Sequence, residues 1–262
     1  MEPTYSEYEP PSDIVNFVHC IWSFQDGDGT DVQPIIPDGR PELIIHLGAP
    51  YREVGKASVQ PRALLAGQLT QPLHLQATGP VDIIGVRFRP DGARAFLGHT
   101  MEQTTNLRID MSAVDTRGIE HLYSTLQEKE KSIHALKVVE DYVSSRIHGA
   151  QPDPIVRRTV DQVTNAKKYT LPSEISRRQF QRRFKAQVGV SSRTFIAIRR
   201  FRSIFDRMQH KEGLSWAHAA LDAGYFDQPQ LARDFQRFLG CTAREWAEQS
   251  LGLARAIGGT NT

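Results

Sequence analysis

Apolar residues in the first hundred positions occur in short runs that turn-forming residues separate. The runs that predict strands are 14–24, 33–37, 42–48, 73–78 and 81–88. Turn-forming Asp-Gly, Pro-Asp-Gly, Gly-Ala-Pro and Gly-Pro sequences stand at 28–29, 37–39, 48–50, 79–80 and 90–92. Because many short strands at this spacing favour a sandwich or a barrel, we expect a β-barrel or cupin-like domain over residues 1–117.

From about Gly118 the pattern changes to apolar residues three and four positions apart. Residues 119–130 and 133–147 predict two amphipathic, antiparallel helices, which form a helical pair over 118–147 and a candidate dimerisation element. Residues 148–154 (HGAQPDP) have the composition of a linker. The predicted fold class is therefore α+β with two domains, the second of them all-α over residues 155–249, followed by a flexible tail at 250–262.

The second domain contains an internal repeat. Residues 176–195 (SRRQFQRRFKAQVGVSSRTF) and 227–246 (DQPQLARDFQRFLGCTAREW) align at an offset of 51 positions. The two copies have in common an N-cap residue, an apolar pair four positions apart, a terminating glycine and a second N-cap. The identical pairs are Gln179/Gln230, Arg182/Arg233, Phe184/Phe235, Gly189/Gly240 and Arg193/Arg244. A duplication of this kind is stronger evidence than any single motif.

A short alanine-rich helix at 216–225 precedes the second copy and ends at Gly224. A helix, a tight glycine turn and a second helix are the signature of a helix-turn-helix unit, whose second helix lies in the DNA major groove. Between the two copies, residues 195–208 predict a connecting helix with an apolar stripe at Phe195, Ile198, Phe201 or Arg202, Phe205 and Met208.

Charge is unevenly distributed along the chain. Residues 1–154 carry 13 Lys and Arg against 21 Asp and Glu, whereas residues 155–249 carry 18 against 9. A basic block that follows an acidic one indicates that only the second domain binds a polyanion, here double-stranded DNA.

The repeat and its connecting helix resemble the AraC family of bacterial transcription regulators, over roughly residues 155–248. The resemblance implies two helix-turn-helix units joined by one long helix, with their second helices in successive major-groove segments. The N-terminal sequences IIPDGRPELIIHLG and GVRFRPDGARAFLG resemble the β-rich sensor region of one AraC subgroup. RNA polymerase and a homodimer partner are further expectations of the resemblance.

Carried over position by position, the resemblance implies which residues contact DNA. The implied base contacts are Arg178, Gln181 and Arg182 in the first unit, and Gln228, Gln230 and Arg233 in the second. Arg can bridge guanine O6 and N7, and Gln can pair with adenine N6 and N7. Phosphate contacts are expected from Arg177, Arg193 and Arg244.

One departure from the family pattern concerns the first unit. The family has a full helix before the first recognition helix, and here only LPSEI (171–175) stands in its place. Pro172 further disfavours a regular helix. Either the preceding segment replaces this helix or the first unit holds DNA weakly, and we expect the second unit to be the better formed.

The first domain shows no motif for catalysis, for a cofactor or for a metal. No GxxxxGK[ST], GxSxG or HExxH sequence is present, and His74 lacks the second histidine of a metal cupin. Because they fall in predicted strands, Trp22, His46 and Arg87 are candidate residues of a small-molecule pocket.

Two functions remain open at this point. The first is a cytoplasmic, non-enzymatic transcription regulator whose N-terminal domain senses a small molecule or mediates dimerisation. The alternative is a small-molecule-binding or enzymatic β-domain with a degenerate helix-turn-helix tail that no longer binds DNA specifically.

Overall fold

The computed structural model describes residues 3–27, 32–128, 132–165, 169–210 and 216–246. The strands are β1 (Thr4–Tyr8), β2 (Val18–Asp26), β3 (Val32–Ile35), β4 (Glu42–His46), β5 (Arg52–Glu53), β6 (Ala63–Ala66), β7 (Leu73–Gln76), β8 (Val81–Phe88) and β9 (Arg108–Asp110). The helices are α1 (Ala93–Leu97), α2 (Met111–Val114), α3 (Thr116–Glu128), α4 (Ser132–Ile147), α5 (Pro154–Thr164), α6 (Arg177–Val188), α7 (Ser192–His210), α8 (Trp216–Asp222) and α9 (Gln228–Leu239), and Met101–Thr104 forms a 3-10 turn. The α+β class and the two-domain division are confirmed.

The β-rich domain contains two antiparallel sheets. One has six strands in the order β1-β2-β8-β4-β6-β9, and the other has three in the order β3-β7-β5. In the described residues no strand pairing joins them, so the expected barrel is not closed and the sheets are layers. The alternating strand runs account for two buried faces, but alternation does not specify which strands pair.

The two faces of the six-stranded sheet are covered by different layers. On one face, Ile21, Leu43 and Val86 pack in a core with the helical pair α3 and α4. On the opposite face, Ile83 packs in a cluster with Trp22 and with Leu75 of the smaller sheet. The helical pair therefore buries its apolar stripe against the sheet, and is part of the core of the β-rich domain.

The predicted start of the first strand run is wrong. Residues 14–17, expected as the start of the first strand, form turns, and the strand begins at Val18. Their apolar side chains Ile14 and Phe17 are nevertheless buried in the helical-side core, which explains the misleading pattern. The predicted turn at 28–29 lies outside the described residues.

The C-terminal domain is built around α7, a helix of 19 residues. Phe195 belongs to the core that α7 shares with α5 and α6. Ile198, Phe201 and Ile204 belong to the core shared with α8 and α9. The stripe thus continues through Phe201, not Arg202, and includes Ile204, which was absent from the predicted stripe. Among the described residues, no helix is long and apolar enough to cross a membrane.

Candidate nucleic-acid interface

The first candidate recognition helix, α6, begins and ends where the sequence predicts. The Ser176 hydroxyl accepts a hydrogen bond from the Gln179 backbone N–H at 3.2 Å, which satisfies one orphan donor of the first turn. Gly189, with φ of 96°, ends the helix in a conformation that favours glycine. Phe180 and Phe184 are buried, with ring centroids 5.6 Å apart.

Helix α5 replaces the helix that the first unit lacks in sequence. Residues 169–176 contain no helix, as Pro172 predicts. The core against which α6 packs is completed instead by Val156 and Val160 of α5. The sequence left two alternatives for the missing helix, and in the structure the segment before it, α5, packs against α6 in its place.

The second unit has the helix-turn-helix form. Gly224, with φ of 85°, lies in the turn, and the Tyr225 N–H returns to the Ala220 carbonyl at 2.9 Å. Asp227 then caps α9 by accepting from the Gln230 backbone N–H at 2.6 Å. Beneath the helix, the Phe235 ring meets Phe201 edge-on at 5.1 Å, so α9 is held on α7 by aromatic packing.

A buried polar network also holds α9 on α7. Asp234 accepts from Arg200 at 2.8 Å and from the Tyr225 hydroxyl at 2.7 Å. The Arg200 guanidinium lies 4.2 Å from the centroid of the Tyr225 ring. Burial and the Asp234 carboxylate raise the pKa of Tyr225, which keeps the phenol a hydrogen-bond donor.

The first unit has an ion pair at the equivalent position, with the charges exchanged. Arg183 aligns with Asp234 in the repeat, and it donates to the Asp153 carboxylate at 2.8 Å. Asp153 is the N-cap of α5, so this pair joins α6 to its supporting helix. Each recognition helix is thus fixed to its neighbour by one ion pair of opposite polarity.

The implied base contacts divide into two groups. Arg178, Arg182, Gln228 and Arg233 are exposed, as a DNA contact requires. The Gln181 amide donates to the Ser192 hydroxyl at 2.9 Å.

The Gln230 side chain is also hydrogen-bonded within the protein. With its amide oriented to suit its neighbours, its oxygen accepts from Arg200 at 3.1 Å. Each of the two glutamines therefore has one hydrogen-bonding group of its amide engaged within the protein. The expected phosphate contacts, Arg177, Arg193 and Arg244, are all exposed.

The three candidate pocket residues lie on one face of the large sheet, but the side chain of each already contacts another part of the protein. Arg87 pairs with Glu42 at 2.7 Å and with Glu7 at 3.0 Å. The Trp22 indole covers Gly85, where a Cβ would lie 2.0 Å from the ring.

His46 is fully buried, and its ring pairs with Gln60 at 3.3 Å. The assignment of Trp22, His46 and Arg87 to a pocket stays a prediction. A cavity of about 190 Å³ lies elsewhere, between residues 13–17 and 144–152.

Contacts between the two domains were not predicted from the sequence. Both Pro-Asp-Gly sequences, predicted only as turns, contact the C-terminal domain. Asp91, with a side chain 1% exposed, accepts from Arg157 of α5 at 2.8 Å. The Asp38 carbonyl accepts from Arg199 of α7 at 2.9 Å, and a Cβ on Gly39 would lie 3.0 Å from the Phe195 ring. The sequence pointed to these contacts only in that Pro-Asp-Gly occurs twice, before Arg40 and before Ala93.

Comparison with known families assigns the helical part. Residues 173–249 match the profile of a helix-turn-helix domain. The C-terminal part of this chain is an AraC-type helix-turn-helix domain. The family profile supports a DNA-binding transcription regulator.

Residues 6–110 match a domain of unknown function, DUF6597. No curated protein matches the chain. Among solved structures, the chain is similar to an apo variant of ToxT from Vibrio cholerae strain SCE256, with a TM-score of 0.44, 11% identity, and coverage of 91% of this chain and 98% of that chain. It is also similar to ToxT from Vibrio cholerae O395, with a TM-score of 0.41, 10% identity, and coverage of 86% and 95% respectively.

The buried network of the AraC-type domain predicts the effect of Asp234→Ala. We expect the free energy of unfolding to fall by about 2 kcal/mol, because the half-buried Arg200 loses its carboxylate. Urea titration followed by circular dichroism measures the change. As a matched control, Asp222→Ala removes an exposed carboxylate from the same unit, and its effect should stay within about 0.5 kcal/mol. Equal effects of the two variants would contradict the role of the network.

The buried His46 predicts a loss of stability in acid. Burial lowers the pKa of His46 to about 4, below the value of about 6.5 in an unfolded chain. The stability that depends on a neutral His46 is therefore complete above pH 6.5 and is lost as the pH falls towards 4. The free energy of unfolding should fall by about 2 kcal/mol between pH 7.5 and 4.5 for this reason. Urea titrations at these two pH values should give His46→Gln a correspondingly smaller acid loss than the wild type. The exposed His74→Gln serves as control and should behave as the wild type does.

Proposed function

We propose that this protein is a sequence-specific DNA-binding transcription regulator in which both helix-turn-helix units bind the same duplex. One observation carries the proposal. Each of two repeated helices buries its apolar stripe against α7 while its arginines, Arg182 and Arg233, remain exposed. Such helices suit a major groove, because the buried side fixes their position and the free side meets phosphates and bases.

The β-rich domain leaves the relevant ends of the recognition helices accessible. It contacts the C-terminal ends of both helices: a Cβ built on Gly189 would lie 3.0 Å from the Met101 carbonyl, and one built on Gly240 would lie 3.6 Å from Pro72. Residues 177–179 and 227–229, at the N-terminal ends, are exposed. Since helix-turn-helix proteins place the N-terminal residues of the recognition helix at the base edges, the docked β-rich domain is compatible with DNA binding.

The length of α7 also suits a bipartite site. Its 19 residues span about 28 Å at 1.5 Å per residue. Successive major-groove segments on one side of a duplex are about 34 Å apart. A helix of this length supports the proposal that the two units contact adjacent turns of DNA.

We propose further that the β-rich domain controls the DNA-binding domain through the interdomain contacts. The Asp91–Arg157 ion pair and the contact of the Asp38 carbonyl with Arg199 join the β-rich domain to α5 and α7. Both of these helices support recognition helices. A small molecule, or a second protomer bound through the helical pair α3 and α4, would alter DNA affinity by changing this docking.

We propose that the regulator has no enzymatic activity, that it lies in the cytoplasm and that it acts with RNA polymerase. The alternative, a β-domain with a degenerate DNA-binding tail, was favoured by the missing helix of the first unit. Because Val156 and Val160 of α5 fill that position, this reason for preferring the alternative is weakened.

DNA affinity of two arginine variants tests the proposal. The full-length chain is first used to select a fragment from a random duplex pool, and affinity is then measured by fluorescence anisotropy over a salt series. Arg182→Ala and Arg233→Ala are each expected to weaken binding about 10- to 100-fold, the range of one lost bidentate base contact. A larger loss for Arg233→Ala would match the expectation that the second unit is the better formed.

Arg94→Ala provides the control, because Arg94 is exposed and carries the same charge but lies in the β-rich domain. It should bind as the wild type does. If the wild type binds all fragments alike, with only weak and salt-sensitive affinity, the regulator proposal is wrong and the alternative gains support.

Loosening the interdomain contact tests the control mechanism. Asp91→Asn leaves Arg157 without its buried carboxylate, so we expect the linker at 148–153 to be cleaved about tenfold faster by a broad-specificity protease. Glu102→Gln removes the exposed interdomain pair with Lys185, which is worth little, and should change cleavage less than twofold. Equal cleavage rates in the wild type and Asp91→Asn would refute a role for this contact in docking.

A further inference from the structure

Phe226 is the most exposed large apolar residue among the described residues. Its exposed fraction is 89%, whereas the next is Leu221 at 57%. It lies in the turn between α8 and α9, directly before the N-cap Asp227. The side chain therefore stands at the end of the second recognition helix that a major groove would receive.

The repeated fold does not require an exposed aromatic residue here. In the first unit the equivalent residue is Ile175, which packs against the core that contains Phe180. An apolar residue before the N-cap that packs on the first helical turn is a hydrophobic staple, and it fixes the entry of the chain into the helix. Phe226 occupies the staple position of the second unit without being buried, so its side chain is available for a partner.

The two recognition helices also differ in the chemistry of their first turns. The first presents Arg177 and Arg178, which suit guanine and phosphate. The second presents Gln228 and Pro229, and proline carries no N–H donor. Gln230 is held by Arg200. Phe226 and Pro229 therefore make this end more apolar than the first turn of α6, although Gln228 is also exposed and Arg233 follows one turn later on the exposed face.

On this basis we propose that Phe226 contacts the 5-methyl group of a thymine in the second half-site. This inference rests on the proposed DNA-binding function. The thymine methyl is the one apolar group on the major-groove edges of the four base pairs, and phenylalanine is among the side chains that contact it. The first unit then selects guanine through its arginines, and the second selects thymine through Phe226.

Replacement of thymine by deoxyuracil tests the contact, because it removes only the methyl group. The probe is the duplex fragment selected by the full-length chain, with each thymine of the two half-sites replaced in turn. For the wild type, one replacement in the second half-site should weaken binding about fourfold, as the loss of one buried methyl predicts. Phe226→Ala should bind the original fragment about as weakly as the wild type binds the fragment with that one deoxyuracil. Replacing the same thymine by deoxyuracil should not lower the affinity of Phe226→Ala any further.

Two further variants show whether the deoxyuracil sensitivity belongs to Phe226. Arg233→Ala should lose affinity yet keep the full sensitivity to deoxyuracil, and Leu221→Ala should match the wild type in both respects. If the wild type binds no fragment specifically, the proposed function fails. If the wild type binds specifically but Phe226→Ala retains the deoxyuracil sensitivity, or no thymine in the second half-site shows it, only the Phe226 inference fails. The same holds if Phe226→Ala binds DNA normally but lowers transcription, since Phe226 then contacts a protein.

Discussion

The burial of one apolar stripe along α7 is the interaction on which both helix-turn-helix units depend. Phe195 closes the core of the first unit, while Ile198, Phe201 and Ile204 form the floor of the second. Because a packed interior resists displacement of its side chains, the two units cannot rotate about α7 without opening a core. Ile36 of the β-rich domain joins the second of these cores, so the same stripe also fixes the domain that lies before the linker.

The basic character of the DNA-binding domain serves two purposes that sequence alone does not separate. Residues 176–210 carry ten Arg and Lys against one acid. Several of these cations are nevertheless engaged within the protein: Arg183, Lys185, Arg199, Arg200 and Arg202 contact Asp153, Glu102, Asp38, Asp234 and Asp206 respectively. The number of phosphates that the domain neutralises is therefore smaller than its charge suggests, and the salt dependence of binding should be correspondingly shallow.

The features that the sequence predicted well are those that neighbouring residues determine. The caps at Ser176 and Asp227, the glycine ends and the stripe of α7 follow from local chemistry and helical periodicity. Contacts between distant positions were predicted less well: the sequence left open whether the preceding segment supports α6, and it did not indicate that Asp91 contacts Arg157. Turn residues and alternating strands look the same whether a sheet closes or stays open, so the open two-sheet arrangement was not available from the pattern.

The exchanged charges at Arg183 and Asp234 make the two copies of the repeat non-interchangeable. A copy of α6 transplanted into the place of α9 would set a guanidinium against Arg200, and a copy of α9 in the place of α6 would set a carboxylate against Asp153. Like charges at a half-buried contact repel, so each helix packs favourably only at its own position in the domain. In the proposed complex, two helices that differ in this way and follow one another in a fixed order along the chain would let the protein distinguish the two directions of an asymmetric operator.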